Sequence, residues 1–154
     1  MNPRYLGRVA RTGLLLSSLL AFACGDGEDG DGAVESACFT PAAGEIEIAG
    51  DWVSNFDAVE SISSDSWGDA AVTQFDNDDN VAITQNPDDA QFSPGAFNRI
   101  VWTEPSECTF YYCTVAFGLE TEDEALESTA TADDTDPETG GCGESFPWTK
   151  LSVE

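Results

Sequence analysis

Phe97-Asn98-Arg99-Ile100-Val101-Trp102-Thr103 and Thr109-Phe110-Tyr111-Tyr112-Cys113-Thr114-Val115-Ala116-Phe117 flank the turn-forming Glu104-Pro105-Ser106-Glu107. Both runs are rich in aromatic and β-branched side chains, which suit a pleated, half-buried surface. The segment between them is hairpin-like, so the pair reads as two antiparallel strands. On the second run Tyr111, Cys113, Val115 and Phe117 are expected to share one face, and Phe110 and Tyr112 the other. Both faces are apolar, so each must be covered: a barrel interior on one side, a helix or a partner on the other.

The same pattern extends in both directions. Ile46, Ile48, Gly50 and Trp52 alternate with Glu45, Glu47, Ala49 and Asp51. That period of two predicts a strand with Ile46, Ile48 and Trp52 facing inward. Asp57 to Ile62 reads as a second short strand. Trp67 begins a third apolar stretch that includes Ala71, Val72 and Phe75. Asp76-Asn77-Asp78-Asp79-Asn80 is a turn, and Val81-Ala82-Ile83-Thr84 returns as a strand. Asn86-Pro87-Asp88-Asp89 and Ser93-Pro94-Gly95 are breakers. After the central hairpin one helix is expected, from Glu122 to about Ala130. Thr121 is its N-cap, Glu124 is the capping-box partner, and three acids lie in the first turn. Residues 133–141 read as a polar loop, and 146–151 as a short closing strand. The expected fold is mainly β: a small antiparallel meander closing into a barrel or sandwich, with one late α-helix.

Composition limits what such a domain can do. The 154 residues hold 30 Asp+Glu, 5 Lys+Arg and no histidine, for a formal net charge of −25. That charge denies the chain the usual electrostatic route to nucleic acid. The missing histidine excludes Ser-His-Asp and Cys-His nucleophiles, HExxH zinc sites and histidine general bases. With 41% hydrophobic residues, the chain is too apolar to be wholly disordered.

Three of the five cations, Arg4, Arg8 and Arg11, precede an apolar run at 13–23, and no acid occurs before Asp26. A basic stretch followed by a short apolar one is an export signal, and the run is too short to span a bilayer. Leu20-Ala21-Phe22-Ala23-Cys24 resembles a bacterial lipobox, in which a peptidase cuts before a lipidated cysteine. Ala21 stands where leucine is usual. The alternative is an ordinary secretory signal cut near Ala23. The expected organisation is a signal at 1–23, an acidic Gly/Asp-rich tether at 24–37 and a disulfide-stabilised domain at 38–154. Removing the signal leaves Arg99 and Lys150 against all 30 acids, a net charge of −28. Gly25 to Gly32 alternates glycine with acids and has nothing to bury, so it reads as tether rather than calcium loop.

Lipidation of Cys24 turns an odd cysteine count into four partners, Cys38, Cys108, Cys113 and Cys142. Cys108 and Cys113 lie five apart on what reads as one strand and should point to opposite faces. The favoured pairing is Cys113 with Cys142 and Cys38 with Cys108. The spacings do not suit a four-cysteine zinc site.

Gly50-Asp51-Trp52, Trp67, Phe75-Asp76-Asn77, Ile83-Thr84-Gln85-Asn86, Arg99, Trp102-Thr103, Tyr112-Cys113, Gly141-Cys142-Gly143 and Trp148 together form a pattern. It resembles a family of small uncharacterised bacterial lipoproteins abundant in myxobacteria and related groups. The resemblance spans nearly all of the region expected to be ordered, and implies a lipid-anchored envelope protein without implying an activity. The Gly50-Asp51-Trp52 triplet is also similar to the GxW of lipocalins. There the tryptophan closes one end of an up-and-down barrel and an arginine packs on it, which would give Arg99 that role. The competing reading makes Trp52 a plain core aromatic.

Asp76, Asp78 and Asn80 occupy the first three ligand positions of an EF-hand loop. Val81 replaces its glycine and Pro87 its terminal glutamate, so a polar hairpin turn is the better reading and calcium a weak one. The acidic loop at 133–138 is read the same way. Paired carboxylates could support glycoside hydrolysis, but 30 acids make close pairs uninformative. Arg99 reads as an ion pair or aromatic stack before it reads as an anchor for an anion.

The functional expectation is a lipid-anchored extracytoplasmic protein at the outer membrane or cell surface, with the periplasmic face as the alternative. It is expected to be a non-catalytic module without a cofactor that binds a small molecule or envelope component near Trp52, Trp102 and Arg99. The rivals are an acidic structural lipoprotein without a pocket and a carboxylate hydrolase. An apolar cavity would favour binding, and a filled interior a structural role.

Overall fold

A computed structural model describes residues 38–39, 42–143 and 146–153. The expected signal at 1–23, the lipidated Cys24 and the tether at 24–37 lie outside the described residues.

The chain forms a mainly β fold. Seven strands follow one another: β1 (Gly50–Ser54), β2 (Val59–Ile62), β3 (Ser66–Trp67), β4 (Ala70–Asp76), β5 (Val81–Gln85), β6 (Phe97–Trp102) and β7 (Thr109–Leu119). A short helix α1 (Glu122–Glu127) comes next. The two-residue strands β8 (Gly141–Cys142) and β9 (Phe146–Pro147) pair with each other, and β10 (Thr149–Ser152) ends the series. Strand β10 inserts between β7 and β1 and closes an eight-stranded barrel of order β1-β10-β7-β6-β5-β4-β3-β2, every pair antiparallel. Of the two expected architectures, the barrel is the one adopted.

An eight-stranded barrel is just wide enough for side chains to fill it. Here the filling is aromatic. Trp52, Trp67, Trp102 and Phe110 are buried together with Ile62, Val72, Ala82, Ile100 and Leu151. The ring of Trp52 meets Phe110 edge-on at 5.0 Å, and Trp67 meets Tyr112 edge-on at 5.1 Å, the geometry that aromatic quadrupoles favour.

Residues 46–49 depart from the expected strand. They form turns, with the Ala49 amide donating to the Ile46 carbonyl at 3.1 Å, and β1 begins only at Gly50. The inward placement of Ile46, Ile48 and Trp52 nevertheless holds, since all three are buried. The segment crosses one end of the barrel as a plug. Its Ile46 amide donates to Ser64 in the β2–β3 turn, and its Glu47 amide to Asn77 in the β4–β5 turn, both at 3.0 Å. Sequence alternation reports which residues turn inward; it does not report whether a ladder partner exists beside them.

The helix starts where expected. The Thr121 hydroxyl accepts from the Glu124 amide at 3.2 Å, and the Glu124 carboxylate reaches back to the Glu120 amide at 3.0 Å. It stops at Glu127, short of Ala130, because Ser128 turns to extended dihedrals. The helix lies on the outer face of β5, β6 and β7, where Ile83 and Ala125 are buried.

Two cysteine pairs stand at disulfide distance, Cys38 with Cys108 and Cys113 with Cys142, each with Cα atoms 5.4 Å apart. They are the favoured pairs, with one difference in detail. Cys108 precedes β7 in a turn where Glu107 and Cys108 both have positive φ, rather than sharing the strand with Cys113. The first pair ties the chain entering the plug to the β6–β7 turn at the same end of the barrel.

Candidate functional site

The three residues expected to line a site do not converge. Trp52 is 2% exposed; its indole N–H donates to the Ile48 carbonyl at 2.9 Å, and Phe39 stacks on it at 5.3 Å. Trp102 is also inside, donating to Glu47 Oε1 at 2.6 Å and lying 6.3 Å from Trp67. Arg99, three residues before Trp102 on the same strand, points to the opposite face. It pairs in register with the outward Ile83, and its Nη1 donates to the Ala125 and Leu126 carbonyls at 3.4 and 3.3 Å. Those carbonyls end α1, where the helix dipole favours a cation. Arg99 thus supplies the charge that the helix's own last turn lacks. Among the described residues it makes neither the ion pair nor the aromatic stack expected of it.

Two carboxylates that the sequence did not single out face the core. Glu60 accepts from the Trp67 indole at 3.2 Å through one oxygen and from the Tyr112 hydroxyl at 2.9 Å through the other. Glu47 accepts from Trp102. With its amide nitrogen turned toward Glu47, Asn80 donates to the same carboxylate at 3.0 Å and to the Asn77 carbonyl at 2.8 Å. These acids satisfy indole and phenol donors that an apolar barrel would otherwise strand. Burial, reinforced by the Glu60 carboxylate, pushes the Tyr112 phenol well above its usual range, so it remains a neutral donor. The signal was present in β2, where Glu60 shares the face of Ile62, but 30 acids hid it.

The Asp76–Asn80 segment closes on itself. One Asp76 oxygen accepts from the Asp78 amide at 2.9 Å and the Asp79 amide at 3.2 Å, as in the expected polar turn. Among the described residues no three acids or cysteines are gathered as a metal site would need.

The largest of the described concavities runs along the edge of β7, taking in Tyr112 and Thr149 from its inward face as well as Cys113 from its outward one. It is an open groove of about 600 Å³ bordered by Thr114, Val115, Phe117, Thr131, Cys142 and Phe146. Its origin is a mismatch of lengths. Strand β7 has 11 residues, whereas β10 pairs with only its first four, Thr109 to Tyr112. From Cys113 onward, the side of β7 that β10 lined has no strand partner among the described residues. The Cys113–Cys142 link holds the β8–β9 hairpin beside this stretch.

A bulge between Thr114 and Ala116 changes the expected faces of β7. Ala116 pairs with the outward Arg99, so Phe117 does not continue the face of Tyr111 and Cys113. Phe117 is 77% exposed and Phe146 is 72% exposed. Hydrogen bonds hold the chain at the base of the hairpin. Buried Trp148 donates from its indole to the Asp133 carbonyl at 3.0 Å and from its amide to the Pro137 carbonyl at 3.1 Å. Lys150 pairs with Glu138 at 3.2 Å over the Tyr111 ring. The Tyr111 hydroxyl and Lys150 hold the exposed Glu138 carboxyl below its usual range.

Comparison with family models, with curated proteins and with solved structures returns no match.

Proposed function

We propose that this chain is a lipid-anchored, extracytoplasmic interaction module that recognises an envelope component through the groove beside β7, without catalysis. The observation that carries this reading is the groove itself: an apolar concavity with two exposed phenylalanines on an otherwise closed barrel. The Cys38–Cys108 link brings the chain in at the plugged end. The β7 C-terminus lies at the other end of the barrel. Two disulfide pairs suit an oxidising compartment.

A second reading has an observation of its own. The aromatic filling of the barrel favours an acidic structural lipoprotein with no ligand. Nile red, a neutral apolar dye, separates the two when titrated into the full chain carrying Cys24→Ser, which lacks the acyl groups. Dye fluorescence should rise, and the joint substitution Phe117→Ser and Phe146→Ser should remove most of the rise. Both side chains are exposed, so the variant should fold, with stability changed by less than about 0.5 kcal/mol per site. No rise, or an unaltered rise in the variant, rejects the groove and leaves the structural reading. Mass spectrometry of the wild-type protein tests the anchor: it should find Cys24 acylated at the new N-terminus.

A further inference from the structure

We infer that the occupant of the groove is an extended, cationic segment of another protein, which adds a strand to the edge of β7 that has no partner among the described residues. The inference rests on the groove being a binding surface and adds the chemistry of its partner. Residues Cys113 to Phe117 cover about 13 Å at ~3.3 Å per residue before Gly118, at φ +70°, leaves the extended region. Backbone N–H and C=O groups along an unpaired edge are a template for another strand. Natural edges are usually guarded by charges or proline, and Cys113-Thr114-Val115-Ala116-Phe117-Gly118-Leu119 has neither. Two register shifts against β6 each add a residue to β7 here, one between Thr114 and Ala116 and one between Ala116 and Leu119. In strand addition the main chain supplies affinity while apolar contacts take alternate side chains. Val115, Phe117 and Phe146 supply such contacts.

Charge selects the partner. Both cations among the described residues are engaged, Arg99 with helix carbonyls and Lys150 with Glu138. The chain leaving β7 continues through Glu120, Glu122, Asp123 and Glu124, and Thr131 on the groove wall is followed by Asp133, Asp134 and Asp136. With a net charge of −25, the chain repels a second copy of itself and any anionic lipid surface, and attracts lysine and arginine.

The test uses a capped hexapeptide of alternating lysine and valine, titrated by calorimetry into the full chain carrying Cys24→Ser. The peptide should bind, and binding should weaken as salt is raised. A glutamate–valine counterpart, a lysine–valine peptide N-methylated at alternate amides, and the Phe117→Ser/Phe146→Ser variant should each lose about tenfold or more in affinity. Equal binding of the N-methylated peptide overturns strand addition, because methylation removes the backbone donors and leaves the charge. Concentration-dependent dimerisation of the chain without peptide binding overturns the inference in favour of self-association. Binding to phosphatidylcholine vesicles without peptide binding overturns it in favour of a lipid surface. Nile red binding that depends on Phe117 and Phe146, with no peptide binding, overturns the cationic strand while leaving the groove reading intact.

Discussion

Trp102→Phe tests how the plug is held to the barrel. In the native protein the Trp102 indole donates to Glu47 at 2.6 Å, joining β6 to the crossing segment. Phenylalanine retains an aromatic ring but has no donor. A hydrogen bond to a charged group contributes about 1.5–3 kcal/mol. The smaller ring leaves a void on the order of 40 Å³, which at ~24 cal/mol per Å³ costs about 1 kcal/mol more. The expected loss is therefore about 2.5–4 kcal/mol. For a domain of this size that is a fall in Tm of roughly 10–20 °C. Urea unfolding at neutral pH, followed by far-ultraviolet circular dichroism, measures it. Glu47→Ala and the double variant complete a cycle that separates the bond from the packing. The coupling energy should be about 1.5–3 kcal/mol. A coupling below about 0.5 kcal/mol, the level of independent sites, would refute the claim that this bond clamps the plug.

Three further outcomes follow from the geometry. Non-reducing peptide mapping should recover Cys38 with Cys108 and Cys113 with Cys142. On the chain-entropy relation, their separations of 70 and 29 residues make Cys38→Ser/Cys108→Ser cost about 4 kcal/mol and Cys113→Ser/Cys142→Ser slightly less. Gly141→Ala should destabilise by about 1–3 kcal/mol in chemical denaturation, since Gly141 has φ +94° and a Cβ there would run into the Asp133 carbonyl; no change would mean the β8 approach is looser than described. The raised Tyr112 phenol sets a pH trend. The fold favours the neutral form, so its contribution is fully present below the unfolded pKa of about 10 and is lost as pH rises toward the folded value. Ultraviolet difference absorbance should show Tyr112 ionising only with unfolding, and Tyr112→Phe should flatten the alkaline loss of stability; ionisation of Tyr112 in the folded state near its usual pKa would contradict its burial.

Much of the fold was legible because it depends on local pattern. The alternation in Phe97–Trp102 and the hairpin at Asp76–Asn80 identified strands before any pairing was known. Thr121 with Glu124 placed the helix start to the residue, since a cap is a contact across one turn. The helix end was less legible, because its last carbonyls are held by Arg99, which lies more than 20 residues earlier. The plug reads as a strand for the same reason: Glu45–Ala49 alternates correctly, yet its partners are Ser64, Asn77 and Trp102 on three different elements. The bulge at Thr114–Ala116 reversed the assignment of Phe117, and only the register with β6 reveals it.

The sequence alone determined the class of fold, the inward residues and the favoured cysteine pairs, because alternation, capping and cysteine count act over a few residues or through simple exclusion. It also removed histidine chemistry, since no folding can supply a residue the chain lacks. The tertiary structure decided where a concavity lies. Barrel closure packed Trp52 and Trp102 into a filled core, and strand parity turned Arg99 to the outside. The unequal lengths of β7 and β10 left an edge that no local pattern marks. Such an edge is a property of non-local pairing, where the ladder stops on one side and continues on the other, and it exists only once distant segments have met.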